Sequence, residues 1–215
     1  MMGTDKTQFL TLEELEILQE IMNIAFGKSA ADLADVIDTH VVLNVPFISV
    51  MQIRELPEYI RNHVKDCKNI SIVEQYFWGR FKGDALLVFS SGSGKELIGM
   101  LQRGEHAILE SDPIEILERE TLMEVGNILI GACVGKVAEL LKDIVTYTPP
   151  IMVLERYYED AISENEFDPE KTAIVLKTDF NFSEGNISGF LFLVTSNESI
   201  QWLKEALQIF IEQYE

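Results

Sequence analysis

Apolar residues recur at helical spacing in two long stretches of the chain. The first stretch predicts a helix from about Thr11 to Asp35. Thr11 and Glu14 match a capping box, which indicates that the helix begins there. The second stretch follows Pro113 and predicts a helix over residues 113–144. Each half of the chain is therefore expected to open with one long helix.

A similar series of elements follows each long helix, because runs rich in Val, Ile and Phe alternate with polar turns. In the first half we predict a strand containing Pro46, a loop or short helix, a hairpin and a short helix: residues 40–53, 55–69, 70–91 and 93–104. In the second half we predict a strand containing Pro150, a polar loop, a hairpin and a closing helix: residues 148–158, 159–171, 172–196 and 197–213. Each half is thus an α-β-β-β-α unit.

The two halves also match residue by residue. At an offset of 104 residues, pairs of identical residues are Glu16–Glu120, Glu20–Glu124, Asn23–Asn127, Ile24–Ile128, Gly27–Gly131, Ala34–Ala138 and Pro46–Pro150. In the hairpins the offset is 106, which aligns Leu86 with Phe192. Each half of the chain, with only a few strands, would bury little apolar surface by itself. The sequence therefore predicts one α+β domain over residues 1–215, a pseudo-two-fold tandem repeat of about 11–105 and about 113–215 with a largely antiparallel sheet.

The repeated polar residues share one side of each long helix. Glu16, Glu20, Asn23 and Gly27 fall within an arc of about 60°, and apolar residues occupy the opposite arc. These polar residues are therefore expected to point outward, and the second helix repeats this arrangement with Glu120, Glu124, Asn127 and Gly131. Glu16 and Glu120 could be outward-facing, solvated glutamates that have no function beyond favouring the helix. Asn is a mediocre helix former, and an interior Gly costs about 1 kcal/mol relative to Ala, so helix stability does not explain them. A packing role for the glycines stays open.

A Glu-x-x-Asn pair places a carboxylate and a neutral amide one helical turn apart. The amide can orient a water molecule, and the carboxylate can hold a cationic group of a partner. This pair suits hydrolysis of a phosphoryl group, where catalysis consists largely of positioning and charge stabilisation. The three His residues are scattered, so no metal site is predicted in this chain. A metal and a phosphate cradle would come from the partner.

The spacing resembles the motif of the CheC/CheX/FliY family of chemotaxis phosphatases. That motif is Asp or Ser, three residues, Glu, two residues, Asn, then 22 residues and Pro. Asn23 and Pro46 enclose 22 residues, as do Asn127 and Pro150. Both copies depart at the leading position, where Glu16 and Glu120 stand. The first copy also has Met22 where the second has the more familiar Gly126. Two motifs in one chain are most similar to the stand-alone CheC members.

The resemblance implies a mechanism and partners. Asn23 or Asn127 would enter the active site of a phosphorylated CheY-like response regulator and orient the attacking water. Glu20 or Glu124 would pair with the regulator's active-site lysine. The regulator would supply Mg²⁺, and this chain would bring no cofactor of its own. Glu16, Gly27, Pro46, Glu120, Gly131 and Pro150 would be supporting motif positions. A CheD-like deamidase is a further implied partner, and the setting is chemotaxis-type two-component signalling.

Composition narrows the alternatives. The formal net charge of -19 argues against nucleic acid or an anionic membrane as partner. No apolar stretch is expected to reach the length that spans a bilayer. Cys67 and Cys133 form no CxxC pair, which fits the reducing cytoplasm. A non-enzymatic adaptor that binds a response regulator or a CheD-like protein remains the alternative to a phosphatase.

Overall fold

The computed structural model describes residues 10–37, 40–63, 70–90, 92–101, 114–153, 172–183, 187–195 and 197–214. It is a mixed α+β structure, which confirms the predicted fold class. The described helices are α1 (Leu12–Ile37), α2 (Leu56–His63), α3 (Ser93–Leu101), α4 (Ile114–Leu140) and α5 (Asn197–Tyr214). The described strands are β1 (Val41–Leu43), β2 (Phe47–Gln52), β3 (Ser71–Trp78), β4 (Gly83–Phe89), β5 (Thr146–Tyr147), β6 (Ile151–Val153), β7 (Thr172–Phe182) and β8 (Ser188–Thr195).

The start of α1 is the predicted capping box. The Thr11 amide donates to Glu14 Oε2 over 2.7 Å, and the Glu14 amide donates to Thr11 Oγ1 over 3.1 Å. Two amides at the helix start, which have no partner within the helix, are thereby satisfied. The polar stretch over 159–171 and Cys67 lie outside the described residues.

The sheet is antiparallel and joins the two repeats. Its order is β1-β7-β8-β4-β3-β5, with β2 also on β7 and β6 also on β3. The strands that follow α1 therefore pair with the hairpin of the second repeat, and the strands that follow α4 pair with the hairpin of the first. Each repeat thus completes the sheet of the other.

The two strands predicted to run through a proline are each interrupted, so that prediction was wrong in its continuity. Pro46 lies between β1 and β2, and Pro150 lies between β5 and β6. Proline has no amide hydrogen to donate to a neighbouring strand, so pairing stops there. Residues 154–158 of the second predicted strand lie outside the described part.

A pseudo-two-fold axis passes through the sheet and the helices. Leu86 pairs directly with Phe192, the residue that matches it at an offset of 106. At an offset of 104, Ser29 of α1 matches Cys133 of α4; the Ser29 side chain hydrogen-bonds to the Cys133 side chain and also donates to the backbone oxygen of Ala132 over 2.9 Å. Matching residues meet at both places, as a two-fold axis requires.

The helices form two layers around the sheet. α3, α4, α1 and α5 lie side by side on one face, over the larger apolar core. α2 covers the other face through Leu56 and Tyr59. Within the described residues, α4 is long and apolar enough to cross a membrane by length and composition, contrary to expectation. Its most apolar stretch is 56% buried in the fold, as in the core helix of a water-soluble protein.

Candidate functional site

The predicted motif residues lie on α1 and α4, the two central helices of the helical layer. Glu16, Glu20, Asn23 and Gly27 are exposed on α1, and Glu120 and Glu124 are exposed on α4. The apolar arcs of both helices are buried, through Leu18, Ile21, Met22, Ala25 and Phe26 on α1 and Leu122, Val125 and Leu129 on α4. Core burial of one face thus turns the glutamates of both motifs outward. We call Glu20, Asn23 and Pro46 the first site, and Glu124, Asn127 and Pro150 the second site.

In the first site the asparagine faces solvent. Asn23 is exposed, and no residue in the described part of the chain hydrogen-bonds to its side chain. One turn earlier on α1, Gln19 Nε2 donates to the backbone oxygen of Pro46 over 3.0 Å. This bond brings the motif proline to the motif helix. Pro46 itself is buried, so it lies beneath the site and forms no part of the surface that a partner would contact.

In the second site the asparagine is tethered, contrary to the expectation that it points outward as in the first. Asn127 is half-buried, and its Oδ1 accepts a hydrogen bond of 2.8 Å from Gln75 Nε2. The same Nε2 donates over 2.8 Å to the backbone oxygen of Thr148, two residues before the half-buried Pro150. Gln75 on β3 thus links the motif helix to the segment that leads to the motif proline.

Sequence reasoning missed Gln75, although a signal was present. Gln75 alternates along β3 with Val73 and Phe77, which are both fully buried on the helix side of the sheet. A polar side chain at such a position needs hydrogen-bond partners. Gln75 is only 3% exposed. A polar residue within an apolar period of two therefore pointed to a buried interaction with the helix above.

The motif glycines have no packing constraint. A Cβ added at Gly27 or Gly131 would meet no described atom within 4 Å outside its own helix backbone. The packing explanation that the sequence left open is therefore not supported. Both glycines follow the motif asparagine by one helical turn, so they leave a bare surface beside it.

A third glycine distinguishes the two helices. A Cβ at Gly126 would lie 2.8 Å from Cγ1 of Val73, closer than such atoms approach. The matching residue on α1 is Met22, whose side chain is fully buried. Gly126 thus lets α4 approach β3 closely, whereas Met22 fills the corresponding space under α1.

Beyond the motif residues, the chemically relevant side chains are candidate metal ligands and the two with raised pKa values, Cys133 and Tyr147. Among the described residues, no group of three or more His, Cys, Asp or Glu could hold a metal ion. Burial raises the pKa of the Cys133 thiol to about 12, although the hydrogen bond with Ser29 lowers it in part. Burial and the neighbouring Cys133 raise the pKa of Tyr147 to about 12. A thiol with so high a pKa is a poor nucleophile at neutral pH, as expected of a core cysteine.

Known proteins resemble the chain in sequence and in fold. The CheY-P phosphatase CheC of Bacillus subtilis is 24% identical over 130 residues. The aligned region covers 60% of this chain and 61% of CheC, so the match spans less than two thirds of that relative. No protein-family model matches the chain.

Two solved structures share the fold. FliY of Thermotoga maritima superposes with a TM-score of 0.62 at 18% identity, covering 93% of this chain and 98% of FliY. A chain of the FliG-FliM complex of H. pylori superposes with a TM-score of 0.58 at 12% identity, covering 89% of this chain and 98% of the solved chain. These likenesses extend over most of the chain and concern the fold. With the CheC match, they confirm the resemblance that the doubled motif indicated.

Proposed function

From its resemblance to the CheC/CheX/FliY family in sequence and fold, we propose that this chain is a chemotaxis-type phosphatase that dephosphorylates a CheY-like response regulator. Each of the two sites would act through its Glu-x-x-Asn pair. The relative named CheY-P phosphatase CheC supports this reaction and this partner. The proposal places the protein in the cytoplasm, where such regulators act, with a CheD-like protein as a further partner.

The proposed reaction is hydrolysis of an aspartyl phosphate. Asn23 or Asn127 would orient a water whose oxygen attacks phosphorus in line, and the bond from phosphorus to the aspartate oxygen breaks. The products are inorganic phosphate and a free carboxylate. Glu20 or Glu124 would pair with the regulator's active-site lysine, and the regulator's Mg²⁺ would stabilise the developing charge. The chain itself supplies position and a hydrogen-bonding amide, which is most of what this reaction needs.

One observation carries the proposal: the same carboxylate and amide occur twice, on central helices related by a pseudo-two-fold axis. Glu20 and Glu124 are both exposed, so a cationic group of a partner can reach either carboxylate. Helix stability selects neither the asparagines nor Gly27 and Gly131. The bare helix surface at these glycines would admit a partner close to the asparagine.

The test follows phosphate loss from a phosphorylated CheY-like receiver domain. Asn23→Ala and Asn127→Ala should each retain part of the wild-type rate, and the double variant should fall to the receiver's own rate. Asn62→Ala is the matched control, because Asn62 is an exposed helical asparagine on α2, which covers the other face of the sheet. Wild-type dephosphorylation by the double variant would refute the proposal.

The second candidate function is a non-enzymatic adaptor. The fold shared with a chain of the FliG-FliM complex favours it. An adaptor would bind the receiver through the same helices without accelerating phosphate loss. Binding and turnover measured on one preparation separate the two functions. An adaptor binds the receiver without accelerating phosphate loss. A phosphatase accelerates phosphate loss, and it should lose this turnover but keep binding when its asparagines are replaced and its glutamates remain.

A further inference from the structure

Gln75 makes two hydrogen bonds with one nitrogen. Its Nε2 carries two hydrogens, and the two acceptors at 2.8 Å are Asn127 Oδ1 and the backbone oxygen of Thr148. Both donors are therefore used, and no described atom pairs with Gln75 Oε1. The amide lies in the core, where water competes little for these bonds.

These contacts determine which way the Asn127 amide faces. A backbone oxygen can only accept, so Thr148 requires that Gln75 present its nitrogen and not its oxygen. The same nitrogen faces Asn127, which must then present its oxygen inward. The Asn127 Nδ2 group, with its two hydrogens, is left to face away from Gln75. The orientation of this amide follows from a backbone acceptor that cannot exchange roles.

Among the described residues, the first repeat has no equivalent tether. Gln75 pairs with Ala85, and Thr178 pairs with Leu191, which matches Ala85 at the hairpin offset of 106. Thr178 therefore occupies in β7 the place of Gln75 in β3. Its hydroxyl donates to the backbone oxygen of Asn44, the residue that matches Thr148. The bond to the segment before the motif proline is thus kept, whereas the bond to the motif asparagine is absent from the described contacts.

We propose that Gln75 is a positioning residue of the second site, which holds the Asn127 amide in the orientation that it uses to direct water. This inference rests on the proposed phosphatase function. An amide that is already oriented loses less rotational freedom when the partner docks. The benefit belongs to the chemical step, because Gln75 lies beneath the helix, away from the exposed Glu124 that would contact the partner.

The experiment isolates each site in the full chain. Asn23→Ala leaves the second site, and Asn127→Ala leaves the first. Gln75→Thr is introduced into both backgrounds, because the chain itself carries threonine at the matching position. Gln75→Met, which keeps about the length of the glutamine side chain but has no N–H to donate, is the second variant and tests whether lost volume explains the result. Steady-state kcat and KM are measured with a phosphorylated CheY-like receiver.

We expect both Gln75 variants to lower kcat of the second site about three- to tenfold, the size of one hydrogen bond's contribution. KM should change by less than about twofold, since the docking carboxylate is untouched. In the Asn127→Ala background the same variants should leave kcat unchanged. That background also reports on folding, because the strands of each repeat complete the sheet of the other.

Four results would overturn the inference: an unchanged kcat of the second site, a raised kcat, an equal loss in both backgrounds, or no turnover by Asn23→Ala alone. A raised kcat would mean that the tether restrains Asn127 and does not prepare it. Failure of the phosphatase proposal is read separately, from the rate of the double variant Asn23→Ala/Asn127→Ala with Gln75 intact.

Discussion

The two sites carry the same motif residues on different supports. In the first, Asn23 is exposed above a fully buried Met22. In the second, Asn127 is half-buried above Gly126, which meets Val73 of β3, and its amide is bonded to Gln75. The glycine lets the helix approach the strand, so a side chain of the strand can reach the asparagine. Identical motif residues therefore do not imply identical sites, because residues outside the motif determine how the motif asparagine is held.

The largest expected effect comes from the residue before each motif asparagine. Met22→Ala should lower the free energy of unfolding by about 2–5 kcal/mol, because it leaves a cavity in the core. Gly126→Ala should lower it by about 1–3 kcal/mol, because the new methyl group meets the stiff Val73 side chain. Chemical denaturation measures both, and Gly27→Ala is the matched control for a helix glycine with room around it. An unaffected Gly126→Ala would contradict the close approach of α4.

A smaller effect concerns the matched pair on the axis, Ser29 and Cys133. In the folded protein the pKa of Cys133 is raised from 9.0 to about 12 by burial. Below pH 9 the thiol is neutral in both states, so it adds no pH dependence. Above pH 9 only the unfolded chain ionises, and stability falls by up to about 1.4 kcal/mol per pH unit. Unfolding measured from pH 7 to 11 should show this fall.

Cys133→Ser makes the two helices alike at this position and removes the thiol. Its stability should decline less steeply above pH 9 than that of the wild type, although Tyr147, whose pKa is also raised, still contributes. Superimposable slopes for the two proteins would show that the buried thiol does not titrate as described.

The smallest effect separates partner contact from helix stability. Gly27→Ala and Gly131→Ala should each raise the free energy of unfolding by about 0.5–1 kcal/mol, because alanine is the better helix former and has room. If the bare surface admits the partner, each variant should raise KM of its own site. This is measured with Asn127→Ala present for Gly27 and Asn23→Ala present for Gly131. A stabilised variant with unchanged KM would assign the glycine no role in docking.

Local sequence signals predicted much of this fold. Residues close together in the chain determine the capping box at Thr11 and the buried arcs of both helices. The internal repeat, with its offset of 106, relates Leu86 to Phe192 in the hairpins. Continuity through Pro46 and Pro150 was mispredicted, because the apolar run outweighed the missing amide hydrogen. The roles of the motif residues remain a prediction that the experiments above address.

The sequence by itself determined the elements, their repetition and the exposure of the four motif glutamates, because helical periodicity and core burial act within each element. Only the tertiary structure decided that each repeat's first strands pair with the other repeat's hairpin, and that Gln75 reaches Asn127 while Thr178 does not reach Asn23. Those contacts join residues far apart in the chain. Their geometry depends on how closely a helix approaches a strand, and this differs between Gly126, which has no side chain, and the buried side chain of Met22.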